Sequence, residues 1–285
     1  MNITDISGTT TLSNGVKMPY LGLGVYKADG GQEVINAIHD ALDAGYRHVD
    51  TAAYYYNEEG VGKAIKTASI PREEIFVTTK IWFSRQKYED TFKAFEESME
   101  KLGLEYLDLY LIHWPHPDYY LEAWKAMEEL YKAGRIRAIG LCNSLQHHIQ
   151  KIIDLGQTMP MVNQMEFHPS LVQQDLLDFC KKNKIQYEAW SPLKRGALFN
   201  DPLLLEIAKK YNKNVAQIII RWDLQKGVVT IPKSTNKDRI ISNANVFDFH
   251  LSDEDIKRID SLDCNDRTGA HPDHFLEYFA KKGIK

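Results

Sequence analysis

GYRHVDTAAYYYNE, residues 45–58, is the stretch on which the fold turns. Residues 48–50 read as a short strand that ends on the carboxylate of Asp50 and runs into a loop crowded with tyrosines. A carboxylate at a strand end beside a polar loop is costly unless it is paired or used. Some thirty residues later a second strand, IFVTTK at 75–80, ends on Lys80; some thirty after that a third, LDLYLIH at 107–113, ends on His113. Each taken alone is an ordinary strand-end polar group in water. Three apolar strands that each deliver one ionisable side chain at the C-terminal end predict convergence, because a parallel barrel keeps its chemistry on that face.

Outward from these strands the chain alternates. Residues 32–44 place Val34, Ile35, Ile38, Ala41 and Leu42 at helical spacing. Helices are predicted over 58–67, 88–102, 119–133, 146–155, 173–183, 203–211, 216–225, 237–246 and 252–262, and further strands over 21–25, 136–141, 162–167, 185–191 and 228–231. Asp201-Pro202 marks a helix start, and Ser252 with the acids that follow it is an N-cap with an acidic first turn. Counted from Leu21 there are eight strands with helices between them, which implies parallel pairing by right-handed crossovers. The expected architecture is an α/β (β/α)8 TIM barrel, one domain over 1–285, since no linker rich in Pro, Gly or Ser divides it. Asn14-Gly15 between short alternating segments predicts an N-terminal β-hairpin with a type I′ turn, serving as a lid or a plug. The tail, 264–285, is expected to wrap over one barrel face. Gly22 and Gly24 lack the third glycine and the immediate helix of a dinucleotide fingerprint, so backbone crowding at a barrel strand is the preferred reading.

Composition narrows the class. With 285 residues, 44% apolar and 26% charged, the chain can bury a large core without staples. A net charge of -4 without a basic run argues against nucleic acid. Cys142, Cys180 and Cys264 have neither CxxC spacing nor an even count, which fits a reducing compartment. No signal peptide and no membrane-length apolar run is legible, so a cytoplasmic protein is expected. Nothing demands more than a monomer. His271 and His274 are three apart without further ligands near them in sequence, so a surface or tail role is expected and no metal.

On such a barrel Asp50 and Lys80 form a charge-matched pair, with a tyrosine from the following loop above them. A nearby ammonium stabilises phenolate and is expected to lower the tyrosine's pKa toward the working range, making it a general acid. His113 can hydrogen-bond a substrate oxygen. An acid without a nucleophile or metal suggests polarising a carbonyl while a cofactor delivers hydride.

The motifs are too many to be coincidental. The chain resembles the aldo-keto reductase family, in its prostaglandin F synthase-like, small-aldehyde reductase branch. The resemblance runs from about residue 18 to 262 and is carried by GYRHVDTAAYYYNEEGVGKAI (45–65), VTTKIW (77–82), DLYLIHWP (108–115), NQMEFHP (163–169), AWSPL (189–193) and IPKS (231–234). It implies NADPH-dependent reduction of small aldehydes or ketones to alcohols. The family's tetrad falls on Asp50, Tyr55, Lys80 and His113; the motif's spacing selects Tyr55 and leaves Tyr54 and Tyr56 as wall or surface. Asn143 and Gln164 match its nicotinamide carboxamide contacts, with Cys142 in place of a serine beside them. Trp190 matches the aromatic stacked on the nicotinamide, and Ser191 and Leu193 flank the pyrophosphate. Lys233, Ser234, Thr235 and Arg239 match the 2′-phosphate pocket. Asn243 matches an adenine contact, although Ser242 replaces an acidic neighbour. Tyr26, Trp82, Trp114 and His113 line the substrate mouth by the same resemblance. Two rivals stand beside this reading: an NADPH-binding regulatory barrel without catalysis, and a lyase or aldolase with Lys80 as a Schiff-base nucleophile.

Overall fold

The computed structural model describes residues 3–284. A two-stranded antiparallel hairpin, β1 (Thr9–Thr11) and β2 (Lys17–Pro19), precedes an eight-stranded parallel sheet. That sheet consists of β3 (Leu23–Gly24), β4 (His48–Asp50), β5 (Phe76–Ile81), β6 (Leu107–Ile112), β7 (Ile136–Cys142), β8 (Val162–Glu166), β9 (Gln186–Trp190) and β10 (Val229–Thr230). Its strands are ordered as in the sequence, each beside the next. The helices between and after them are α1 (Gln32–Asp43), α2 (Glu58–Lys66), α3 (Tyr88–Leu102), α4 (Tyr120–Lys132), α5 (Gln146–Asp154), α6 (Gln174–Lys182), α7 (Pro202–Tyr211), α8 (Val215–Gln225), α9 (Lys237–Ala244), α10 (Asp253–Asp260) and α11 (Phe275–Lys281). The first and last strands meet at the bridges Leu21↔Thr230 and Gly24↔Lys233, so the sheet curls into a TIM-barrel-like fold.

The local chemistry follows the expected rules. Every residue of β5 and β6 is buried, as strands covered on both faces must be. Helix α1 buries the stripe Val34, Ile35, Ala37, Ile38, Ala41 and Leu42. Asp201 caps α7 by accepting from the Leu203 and Leu204 amides, and Ser252 caps α10 by accepting from that of Asp255. The glycines at the barrel seam answer to crowding: a Cβ on Gly24 would lie 2.8 Å from the Ile231 carbonyl oxygen, and one on Gly22 would lie 2.6 Å from His48 Nδ1.

The hairpin turn departs from the type I′ expectation. Gly15 has φ +89, but Asn14 is not in the left-handed region. The Gly15 amide donates to the Leu12 carbonyl and the Leu12 amide to that of Val16, which makes a three-residue loop closed by one left-handed glycine. Asn14 spends its side chain instead: Nδ2 donates to the Arg137 carbonyl at 2.8 Å and Oδ1 accepts from the Val16 amide. Thr10 Oγ1 donates to Gln186 Oε1 at 2.9 Å. Arg137 and Gln186 stand at the starts of β7 and β9, so the hairpin plugs the N-terminal end of the sheet, away from Asp50, Lys80 and His113.

At the opposite end the tail comes back over the strand ends. Phe275 and Phe279 of α11 pack with Trp82, Phe83 and Trp114 in a second apolar cluster, with ring centroids 5.2 Å (Trp82–Phe279) and 5.4 Å (Trp114–Phe275) apart. Glu166, the last residue of β8, accepts from the Thr268 amide at 2.6 Å, the Gly269 amide at 3.0 Å and His168 Nε2 at 3.1 Å. Burial pushes the Glu166 carboxyl up, but these bonds outweigh it and hold its pKa below the usual value. His271 and His274 lie on this tail with rings 5.3 Å apart. Between them Asp273 faces His147 Nε2 at 2.9 Å and His148 Nε2 at 3.5 Å. His148 Nδ1 accepts from the Leu145 amide, so its proton sits on Nε2 and the group reads as a hydrogen-bonded latch for the tail.

Candidate active site

Lys80 is the hub. Its Nζ is wholly buried and donates to Asp50 Oδ1 at 2.6 Å, to the Thr51 carbonyl at 2.8 Å and to Tyr55 Oη at 3.4 Å. Strand pairing sets this up: β4 and β5 are adjacent, so the two strand ends deliver Asp50 and Lys80 side by side. A 3-10 turn, Ala53–Tyr55, followed by Tyr56 in the left-handed region (φ 55) then sorts the three tyrosines. Tyr55 turns in over Lys80, its ring centroid 4.9 Å from Nζ. Tyr54 stacks on Trp82 with centroids 3.9 Å apart and planes 9° apart. Tyr56 is 82% exposed.

Burial works against the charge on Lys80, but Asp50, helped by Tyr55 and Cys142, outweighs it and holds the ammonium above the ordinary lysine pKa. That leaves no neutral amine for Schiff-base chemistry. His113 is pushed well below its usual pKa by burial and then by the Lys80 charge, so its imidazole is neutral. Tyr55 differs from the sequence expectation. Burial raises its phenol above the usual value; Lys80 pulls it down, Asp50 and Cys142 push it up, and the net shift is upward. The enclosure that brings the ammonium within 3.4 Å also strips water from the phenol, and desolvation is the larger effect. Tyr55 therefore keeps its proton at neutral pH.

These groups floor a cavity of about 460 Å3. Tyr26, Tyr54, Trp82 and Trp114 give it an aromatic lining, which Asp50, Tyr55, His113 and Phe279 of the tail share. Asn143, Gln164 and Trp190 line the same cavity. Trp190 is half-buried, and its Nε1 donates to Asn143 Oδ1 at 2.9 Å, which fixes the indole. Asn143 Nδ2 donates to the His113 carbonyl at 2.9 Å and to Cys142 Sγ at 3.1 Å, so the cysteine takes part in the network as a hydrogen-bond acceptor. Burial pushes the Cys142 thiol well up and keeps it protonated.

Ser191, Leu193 and Lys233 line the same cavity; Ser234, Thr235, Arg239 and Asn243 do not, and lie beyond it on the loop after β10 and on α9. There Ser234 Oγ accepts from the Asn236 amide, and Asn236 caps α9 by accepting from the Arg239 amide. The backbone around the rim is unusual. Asn143 (φ 54), Ser191 (φ 53), Lys194 (φ 45) and Arg195 (φ 54) all sit in the left-handed region, and such strain concentrates where ligands are held. Arg195, Lys27, Phe279 and Lys282 also line the cavity and were not singled out by sequence reading. The four-residue spacing of Phe275 and Phe279 was a legible sign of an apolar helix face. For Arg195 there was only its closeness to AWSPL.

The profile of the Aldo/keto reductase family matches residues 20–264. The chain belongs to the aldo/keto reductase family. It is accordingly an oxidoreductase that acts on carbonyl groups. A glyoxal reductase of Bacillus subtilis is 53% identical over 273 residues, covering 96% of this chain and 99% of that protein. The methylglyoxal reductase DkgA of Salmonella typhimurium is 49% identical, covering 93% and 96%. Among solved structures, a Gox0644 variant in complex with NADPH superimposes with a TM-score of 0.89 at 41% identity, covering 93% of this chain and 97% of that one. Among the described residues, no helix is long and apolar enough to cross a membrane.

Proposed function

We propose that this single-domain protein reduces small aldehydes or ketones to alcohols with NADPH, and that Tyr55 is the general acid. The observation that carries the reading is the buried ammonium of Lys80, bridging Asp50 and the protonated phenol of Tyr55 at the base of an aromatic cavity. His113 and Tyr55 hold the carbonyl oxygen from two sides, their rings 5.6 Å apart. As the carbonyl carbon gains hydride, its oxygen takes the Tyr55 proton, and the phenolate left behind faces Lys80. Lys80 keeps its charge because Asp50 holds it. Tyr26, Trp82 and Trp114 exclude water and select small carbonyl compounds. The relatives that reduce glyoxal and methylglyoxal support α-dicarbonyl compounds as the substrate class.

The cavity suits a nicotinamide nucleotide. Gln164 lines it with both amide N–H groups engaged by Asp50 and Glu188, Trp190 offers an indole held in place by Asn143, and Ser191 and Arg195 line it with left-handed backbone. NADPH would supply the hydride. Asn143 and Gln164 would hold its carboxamide, Trp190 its ring, Ser191 and Leu193 its pyrophosphate, Lys233, Ser234, Thr235 and Arg239 its 2′-phosphate, and Asn243 its adenine.

The test is a panel of glyoxal, methylglyoxal, aldoses, aromatic aldehydes and ketones, run with NADPH and NADH in parallel on wild type and Tyr55→Phe. The expected result is carbonyl-dependent NADPH oxidation that falls by about 10²–10⁴-fold in Tyr55→Phe while cofactor binding persists. Unchanged turnover in Tyr55→Phe would remove Tyr55 as the acid. NADPH binding without turnover on any carbonyl would favour the regulatory alternative.

A further inference from the structure

Glu188 lies on β9 one strand over from Gln164, wholly buried and outside the cavity lining. No step of the reaction proposed above uses it. A buried carboxyl without a task is a poor choice, since an apolar residue of similar volume would pack there at lower cost. Its surroundings point to a task. Gln164 Nε2 donates one N–H to Asp50 Oδ2 at 2.8 Å and the other to Glu188 Oε2 at 2.9 Å. A primary amide carries two N–H donors, so both are spent. What remains is Oε1, which among the described residues accepts only a long bond from the Cys142 thiol at 3.6 Å. Turning the amide over would set Oε1 against the Asp50 carboxylate and give up both short N–H bonds, at 2.8 and 2.9 Å, while a protonated Glu188 still offers its carbonyl oxygen to the present orientation.

We propose that Glu188 is a positioning residue: together with Asp50 it locks the Gln164 carboxamide so that an acceptor oxygen, never a donor, faces the cavity. The consequence is selective. A nicotinamide ring with a primary carboxamide can donate an N–H to that oxygen; a ring whose carboxamide is replaced by an acetyl group cannot. The inference rests on the cofactor reading above, and deepens it by assigning the preference to a residue that touches neither cofactor nor substrate. Asp50 cannot set the amide alone, because it accepts only one of the two N–H groups and its other oxygen is taken by Lys80. The other titratable groups facing Glu188 are His48, with Nε2 3.6 Å from Oε1, and, through space, Lys80 and Cys142.

The experiment compares dissociation constants for NADP⁺ and its 3-acetylpyridine analogue, measured by calorimetric titration of the full chain. Any intrinsic difference between the two nucleotides is common to all variants and cancels in the comparison. Wild type and Glu188→Gln, which keeps an acceptor oxygen, are expected to favour the carboxamide cofactor by about tenfold, the equilibrium worth of one hydrogen bond. In Glu188→Met one Gln164 N–H is released, the amide can present a donor, and the preference falls by about tenfold relative to wild type. Glu188→Asp, which withdraws the acceptor by one methylene while keeping the acid, is expected to show the same loss and serves if the methionine variant does not fold. Wild-type preference in a folded Glu188→Met or Glu188→Asp overturns the proposal. Gln164→Met separates the two layers of the argument: if it abolishes the preference while the Glu188 variants do not, only the positioning role fails. If it too leaves the preference intact, the carboxamide assignment fails and takes the positioning role with it.

Discussion

Lys80→Met separates what the buried ion pair does for the fold from what it does for the chemistry. The substitution roughly conserves length and removes three hydrogen bonds, to Asp50, to the Thr51 carbonyl and to Tyr55. It leaves Asp50, 1% exposed, with the Gln164 amide as its only side-chain partner among the described residues. Breaking a buried pair from one side costs about 3–5 kcal/mol, because the remaining charge keeps its desolvation penalty. That is a large part of a typical total of about 5–15 kcal/mol. At about 2 °C per kcal/mol for a chain of this size, the melting temperature at neutral pH should fall by roughly 6–10 °C. The double variant Asp50→Asn/Lys80→Met removes both charges while leaving an acceptor for Gln164, so it should recover most of that loss. Activity should not follow stability: both variants lack the ammonium that receives the phenolate, and both should lose carbonyl reduction. The pH dependence has a definite sign. Burial already raises the Asp50 pKa above its ordinary value against the pull of Lys80 and Gln164, and removing Lys80 raises it further, so native Asp50 binds a proton more readily than unfolded Asp50. Lys80→Met should therefore regain stability on acidification toward about pH 4 and lose it as pH rises. Circular dichroism melts between pH 4 and 8 and steady-state kinetics measure both quantities. A Lys80→Met protein that melts with wild type, or a double variant no more stable than the single one, would refute the reasoning.

Three further outcomes are expected. Burial, then the Asp50 charge, pushes the Glu188 carboxyl from its ordinary 4.5 up to about 8, so its contribution to stability is complete below about 4.5 and lost as pH rises to about 8. Glu188→Gln lacks that titration, so its melting temperature should gain on wild type across this window; parallel curves would contradict it. Glu166→Gln weakens the bonds to the Thr268 and Gly269 amides. Since a hydrogen bond to a charged group is worth about 1.5–3 kcal/mol, limited proteolysis of the tail should accelerate and substrate KM rise roughly tenfold, with kcat little changed. Trp190→Ala removes the indole held by Asn143; it should weaken NADPH binding, read by calorimetric titration, and leave the fold intact because Trp190 is only half-buried.

The order of elements was open to sequence reading because it rests on local rules. The continuous apolar run of 107–112, period-3.6 burial in 32–43 and capping at Asp201 and Ser252 each depend on neighbours a few residues away. The strand ends were open for the same reason: once β4, β5 and β6 are parallel neighbours, Asp50, Lys80 and His113 must emerge at one end. The turn at Asn14-Gly15 misled because the dipeptide specifies a tight turn but not which hydrogen-bonding loop closes it. The distant Arg137 carbonyl claimed the asparagine side chain.

By itself, then, the sequence determined the eight parallel strands and the meeting of a carboxylate, a lysine and a histidine, because side-chain periodicity and strand direction are properties of short segments. The tertiary structure alone decided the rest. The residues by themselves left three consecutive tyrosines open and only the family resemblance picked Tyr55; the 3-10 turn over Ala53–Tyr55 sets it over Lys80. Whether the Tyr55 phenol is pulled down by Lys80 or pushed up by burial depends on how much water the closed barrel excludes. Glu188, unremarked within the strand predicted over 185–191, is brought by folding, through Gln164, to Asp50 on a strand more than a hundred residues away. Desolvation and long-range hydrogen bonding are sums over neighbours that are remote in the chain, so no short stretch of sequence contains them.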